Sequence, residues 1–122
     1  MKRAAIVLVK ENDKILAVSR RGTIDDFGLP GGKCEGNEDP RSAASREFLE
    51  ETGSEVCNLI LLGTRQVGDF LVYTYSGEPV REIEQHFNEE DCFVKWIDLE
   101  TLEKGSLNSN YNVRNYIETL DQ

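Results

Sequence analysis

Three glutamates, Glu47, Glu50 and Glu51, stand at i, i+3 and i+4. On a helix this spacing puts all three carboxylates on one face. Like charges so placed repel by about 0.2–0.5 kcal/mol per pair. They also fall in the C-terminal half of the predicted helix, where the backbone dipole disfavours anions. A solvated acidic face is the plainest explanation, and three neighbours argue for a built site instead. Arg46 lies beside Glu47 and four residues before Glu50, where it can hold a carboxylate. Glu38 precedes the helix, close enough to reach back. Gly31-Gly32 frees a backbone segment to approach a ligand or to present a carbonyl. Oxygen donors without imidazole or thiolate suit Mg²⁺ or Mn²⁺. Such ions bridge phosphate oxygens and activate water.

Two competing motifs fail. A phosphate-cradling P-loop needs GxxxxGK followed by Ser or Thr. Here Gly28 and Gly32-Lys33 are one residue too close, and Cys34 follows. An EF-hand needs oxygen ligands at alternate positions around a central glycine, which no acidic run provides.

The bulk numbers narrow the classes further. A chain of 122 residues supports one domain, here spanning residues 1–122. With 39% apolar and 30% charged residues it is globular rather than disordered. A net charge of -9 opposes broad nucleic-acid binding, which needs clustered Lys and Arg. A small anion remains possible if a cation neutralises it. The cysteines Cys34, Cys57 and Cys92 are odd in number and widely spaced, which points away from a disulfide framework and to a reducing compartment. His86 is the only histidine, which excludes sites built on two. The apolar run Ala4 to Val9 after Met1-Lys2-Arg3 is too short for a membrane span, so a cytoplasmic protein is expected.

The elements that must position the glutamates can be read in order. Ala4 to Lys10 is a predicted buried strand, and Lys14 to Ser19 completes a hairpin with it across Asn12-Asp13. Arg20 to Asp26 is a polar loop, and Phe27 to Pro30 leads into the glycine pair. Asp39 as N-cap, Pro40 at N1 and Gly53 at C′ predict a helix from Pro40 to Thr52. Asn58 to Val67 and Phe70 to Ser76 read as strands around Gly68-Asp69. Gly77 to Asp91 reads as an acidic loop and Cys92 to Ile97 as the last strand. Asp98 caps a short helix through Lys104, Gly105 to Asn110 is a loop, and Tyr111 to Leu120 is a final helix with Val113, Tyr116, Ile117 and Leu120 on one side. Interleaved strands and helices predict an α/β class sandwich rather than a doubly wound parallel sheet.

Gly32, five residues, Glu38, seven residues, then Arg46-Glu47-Phe48-Leu49-Glu50-Glu51-Thr52-Gly53 resembles the Nudix box, Gly-x5-Glu-x7-Arg-Glu-U-x-Glu-Glu-x-Gly-U, with U a bulky aliphatic residue. The spacing matches throughout its 23 positions. Phe48 at the first U is aromatic, and Ser54 at the last is polar and is expected to loosen packing after the helix. The resemblance implies a Nudix-type α/β/α sandwich with a mixed central sheet, and Mg²⁺-dependent hydrolysis of a nucleoside diphosphate linked to another moiety. By position it implies Glu47, Glu50 and Glu51 as metal ligands, Glu47 also as a candidate base, and the Gly31 carbonyl as a further ligand. Arg46 would orient the glutamates and Glu38 support them. Glu90, then Glu89, is the choice for a loop carboxylate of the kind some members add, with a solvated acidic loop as the alternative.

The substrate is less legible. The proline that many ADP-sugar members carry about sixteen residues beyond the box is replaced by Asp69-Phe70. Tyr73 and Tyr75 lie near a tyrosine of diadenosine polyphosphate hydrolases but read more readily as strand residues with one face in the core. The compact length resembles the MutT-like branch, which releases pyrophosphate from nucleoside triphosphates. There Asn110 is the candidate reader of a purine, with Asn108 and Asn112 close by. Arg20, Arg21 and Gly32 are candidate substrate contacts, with a solvated hairpin end as the alternative for the two arginines. The expected partner is a small-molecule nucleotide, with no nucleic acid and no membrane, and the expected assembly a monomer or homodimer. An ADP-sugar or dinucleoside polyphosphate hydrolase, or a nucleotide-binding regulator on the same scaffold, are the alternatives.

Overall fold

The computed structural model describes residues 1–121. In chain order its elements are β1 (Lys2–Leu8), β2 (Lys10–Glu11), β3 (Lys14–Ser19), β4 (Phe27–Gly28), β5 (Gly31–Lys33), α1 (Pro40–Thr52), β6 (Val56–Val67), β7 (Phe70–Pro79), β8 (His86–Phe87), β9 (Phe93–Ile97), α2 (Leu99–Glu103) and α3 (Val113–Leu120), the last preceded by a 3₁₀ turn at Asn108–Asn112.

β1 lies inside a four-stranded sheet of order β5-β1-β7-β6. It runs parallel to β7 and antiparallel to β5, so the sheet is mixed. β3 organises the second sheet: it pairs with β9 along one edge and with β2 and β4 along the other, and β8 extends β9. Alternation along the strands sends side chains to two cores. Ala5, Val7, Leu16, Val18 and Val94 pack against Ala43, Ala44 and Phe48 of α1. Leu8, Ile15, Ala17 and Ile97 pack against Leu102, Val113 and Ile117 of α2 and α3. The two sheets thus form one middle layer between helices, the expected α/β/α sandwich.

Three local expectations change. Ala4 to Lys10 does not form a hairpin with β3. The chain leaves the first sheet after Leu8, and the tight turn at Asn12-Asp13 joins β3 only to the two residues of β2. Both readings satisfy the same apolar pattern, because periodicity does not name a strand's partner. The stretch Gly77 to Asp91 is not all loop: β7 continues to Pro79, where it pairs with Val56, and His86–Phe87 pairs with β9. Ser54 does not loosen the helix end. It is buried, its Oγ donates to the Glu55 carbonyl at 2.8 Å, and it accepts from the Arg81 amide at 3.2 Å. A small hydroxyl there replaces apolar packing with hydrogen bonds to an adjoining loop.

α1 matches its punctuation. Asp39 is extended and accepts from the Arg41 amide at 3.1 Å, Pro40 opens the helix, and Gly53 closes it at φ 80° with its N–H on the Leu49 carbonyl. Phe48, the aromatic departure from the box, is fully buried.

Candidate metal and phosphate site

β5 and α1 build the site together. Gly32 pairs with Ala5, which faces α1. A Cβ on Gly32 would stand 2.6–2.9 Å from the carboxylate atoms of Glu47, so the missing side chain is the space this carboxylate fills. A Cβ on Gly31 would stand 2.2 Å from the Ala5 carbonyl oxygen. The Gly31 N–H donates to Glu51 Oε1 at 2.7 Å. The glycine pair therefore serves close approach on both sides.

Arg46 is the hub of the cluster. Its Nε and Nη2 grip Glu38 at 2.9 Å each, a bidentate pair. Its Nη1 reaches Glu47 Oε1 at 3.0 Å and Glu50 at 3.4 Å, and Nη2 also reaches the Lys33 carbonyl at 3.1 Å. The hydrogen bonds from Arg46, then that from the Glu35 amide, hold the Glu38 carboxyl down at about 2. Glu38 in turn pushes the guanidinium above its ordinary range. Glu47 moves the other way: burial raises its proton affinity, and Arg46 opposes this. Glu51 is raised to about 8, first by burial, then by the charges of Glu47, Glu90 and Glu50, against the Gly31 hydrogen bond.

The loop before β9 closes the other side. Glu90 is exposed, and its charge raises both Glu47 and Glu51. Asn88 holds this loop against α1, a role not read from the sequence. Its Nδ2 donates to the Glu51 carbonyl at 3.1 Å, and its Oδ1 accepts from the Glu90 and Cys92 amides at 2.9 and 3.0 Å. An Asn two residues before the chosen glutamate, in a turn-rich stretch, was the available signal.

Two substrate-contact candidates have other tasks. Asn110 is fully buried, and both its amide hydrogens are committed, to the Phe27 carbonyl at 2.8 Å and the Leu102 carbonyl at 2.9 Å. It ties the 3₁₀ turn to two other elements, and its buried Oδ1 accepts no hydrogen bond among the described residues. Arg20 donates to Ser106 Oγ at 2.8 Å and lies 4.0 Å from Asp26, fastening one loop to another. Arg21 is exposed.

Among the described residues, no three carboxylate, thiol or imidazole side chains are close enough together to hold one ion. Arg46 bridges Glu47 and Glu50 instead. The donor chemistry nevertheless suits a hard divalent cation. Every side-chain donor is oxygen, and one guanidinium faces Glu38, Glu47 and Glu50 at once while a half-buried Glu51 stands beside them.

On the opposite face of the first sheet, Gly31 and Gly32 line a largely apolar cleft of about 260 Å³, walled by Ile6, Leu29, Phe70, Val72 and Leu107.

The NUDIX domain model matches residues 1–117, and the chain belongs to the Nudix family. It is 32% identical over 108 residues to nucleoside diphosphate-linked moiety X motif 6 of Xenopus laevis, covering 81% of this chain and 50% of that protein. It is 35% identical over 63 residues to a putative 8-oxo-dGTP diphosphatase of Bacillus subtilis, covering 52% and 42%. The chain thus spans about half the length of these curated relatives. Its fold is similar to that of a NUDIX hydrolase from Nitrosomonas europaea, with a TM-score of 0.78 at 21% identity, over 97% of this chain and 88% of that one.

Proposed function

We propose that the protein hydrolyses a phosphoanhydride of a nucleoside diphosphate derivative with Mg²⁺ or Mn²⁺, and that its substrate is a nucleoside triphosphate cleaved to monophosphate and pyrophosphate. One observation carries the reading. The same two glycines border the glutamate cluster on one side and the apolar cleft on the other. A base and ribose in the cleft would bring their phosphates over Gly31-Gly32 to the carboxylates. Glu47, Glu50 and Glu51 would hold the metal, with the Gly31 carbonyl and Glu90 as further donors. Bound there, the metal neutralises phosphate charge and lowers the pKa of attacking water.

The chain's own groups do the rest. Glu47, held by Arg46, accepts the proton of the water that attacks phosphorus as the bridging P–O bond breaks. Arg46 keeps the carboxylates aligned, and Glu38 keeps Arg46 aligned. The Gly31 N–H fixes one oxygen of Glu51. A triphosphate substrate is supported by the 8-oxo-dGTP name of one relative.

The test is a Mg²⁺-supplemented panel of ordinary and oxidised nucleoside triphosphates, ADP-ribose and dinucleoside polyphosphates, with products resolved by mass. Monophosphate and pyrophosphate from a triphosphate are expected. Cleavage of ADP-ribose or a dinucleoside polyphosphate alone would move the substrate class. Nucleotide binding without cleavage under every metal tried would make the protein a regulator.

A further inference from the structure

A second cleft, of about 860 Å³, opens beyond Lys33. Lys2 and Arg3 of β1, Lys33 of β5, and Gln66, Asp69 and Phe70 of the β6–β7 hairpin line it. Three cations face one carboxylate there, in a chain whose net charge is -9. Lys2 Nζ lies 5.7 Å and Lys33 Nζ 5.4 Å from the centre of the Phe70 ring. The ring attracts each ammonium, but two ammonium groups gathered on one ring repel each other. Among the described residues neither has an ion-pair partner, whereas Lys10, Arg20, Arg46 and Arg114 each do. Arg3 is fixed by a 2.9 Å hydrogen bond to the Glu38 carbonyl, which ties this cleft to the box loop.

The register shows which substrate atoms come near. Lys2 pairs with Phe70, and Ala4 pairs with both Val72 and Lys33. Laterally paired residues share a sheet face, so the lysines and the ring stand on the face that carries Ala4 and Val72. Ala4 and Val72 line the apolar cleft, and Lys33 and Phe70 border both spaces. The carboxylates approach from the α1 side. An anion among the lysines would therefore belong to the nucleoside end of a substrate, away from the linkage being cleaved.

We propose that this cleft is a second anion subsite, which takes a phosphate monoester carried on the ribose of the nucleotide. The assignment rests on the reading that the apolar cleft takes the nucleoside. Nucleotides with a 2′- or 3′-phosphate are then bound more tightly than those without one.

The experiment uses product-like ligands that the enzyme does not cleave. The full chain with Mg²⁺ is titrated with adenosine 5′-monophosphate, its 2′,5′- and 3′,5′-bisphosphates and inorganic phosphate, by calorimetry and by amide chemical shifts. A bisphosphate is expected to bind about tenfold more tightly than the monophosphate, with shifts at Lys33 and Phe70. The stronger of the two bisphosphates shows which hydroxyl carries the phosphate. In the Lys2→Ala variant, whose side chain lines the anion cleft and not the apolar one, the advantage falls while monophosphate affinity is kept, which also reports an intact fold. Equal affinities in the parent protein overturn the subsite and leave the nucleoside reading standing, as does an advantage that survives in the variant. If no nucleotide binds but inorganic phosphate shifts Lys33 and Phe70, the anion subsite stands and the nucleoside reading falls. If neither binds, both fall.

Discussion

Two regions of the molecule are held by opposite means. Around Arg46 the contacts run between charged side chains, with one guanidinium shared among Glu38, Glu47 and Glu50. Around Asn110 they run from one neutral, buried side chain to main-chain carbonyls of two distant elements. The first arrangement carries strain of like charge, which a bound cation can relieve. The second commits both amide hydrogens of Asn110 to the fold and leaves its buried Oδ1 without a partner. Function is therefore expected to be sensitive in the first region and stability in the second.

Gly32→Ala tests this division with the largest effect. The added Cβ would stand 2.6–2.9 Å from the Glu47 carboxylate, which must swing away. Turnover is expected to fall about 10³-fold in steady-state assays, with the melting temperature changed far less than this loss implies. A fully active variant would break the comparison. Asn110→Ala should do the reverse. The Phe27 and Leu102 carbonyls each lose a donor, Leu102 keeping the Gly105 amide, so denaturant titration should show a loss of about 1–3 kcal/mol, with little change in turnover per folded molecule.

Glu51 belongs to both sides, and pH separates its roles. Burial raises its carboxyl from 4.5 to about 8 in the fold. The neutral form is the one the metal-free fold prefers. Its contribution to stability is full below 4.5 and is lost as pH rises through about 8. The denaturation midpoint of metal-free protein should therefore decline over that window, and Glu51→Gln should flatten the decline. An unchanged slope in that variant would remove Glu51 as its cause.

Asn88 offers a finer test. Asn88→Ala should weaken Mn²⁺ binding, followed by electron paramagnetic resonance, by about tenfold, because the loop bearing Glu90 loses its hold on α1. Asn88→Asp keeps the two accepted bonds and should recover part of the loss. Unchanged Mn²⁺ affinity in both would leave the loop outside the metal site. Arg20→Ala marks the lower end: its exposed links to Ser106 and Asp26 should cost under about 1 kcal/mol in denaturant titration.

The same contrast explains what could be read in the sequence. α1 was legible to its ends because Asp39, Pro40 and Gly53 act on their immediate neighbours. The Arg46 cluster was legible because helical spacing fixes which carboxylates share a face. The partners of β1 were not, since an apolar strand suits any neighbour, and its parallel partner lies more than half the chain away. The setting of Asn110 was not legible, because its burial depends on elements distant in sequence. Only the fold reveals that Phe27 and Leu102 take both its hydrogens.

The parallel ladder between β1 and β7 also sets an order in time. Lys2 through Leu8 finds its register only on Phe70 through Ser76, and parallel strands cannot close locally as a hairpin can. Until β7 has emerged and turned back, β1 has only the short edge of β5 to hold. The long β6–β7 hairpin, made of neighbours in sequence, can form first and wait as a template. The two glycines are then expected to come beneath the glutamates late in folding, when the first strand docks, which hydrogen-exchange pulse labelling of β1 against β6 and β7 would check.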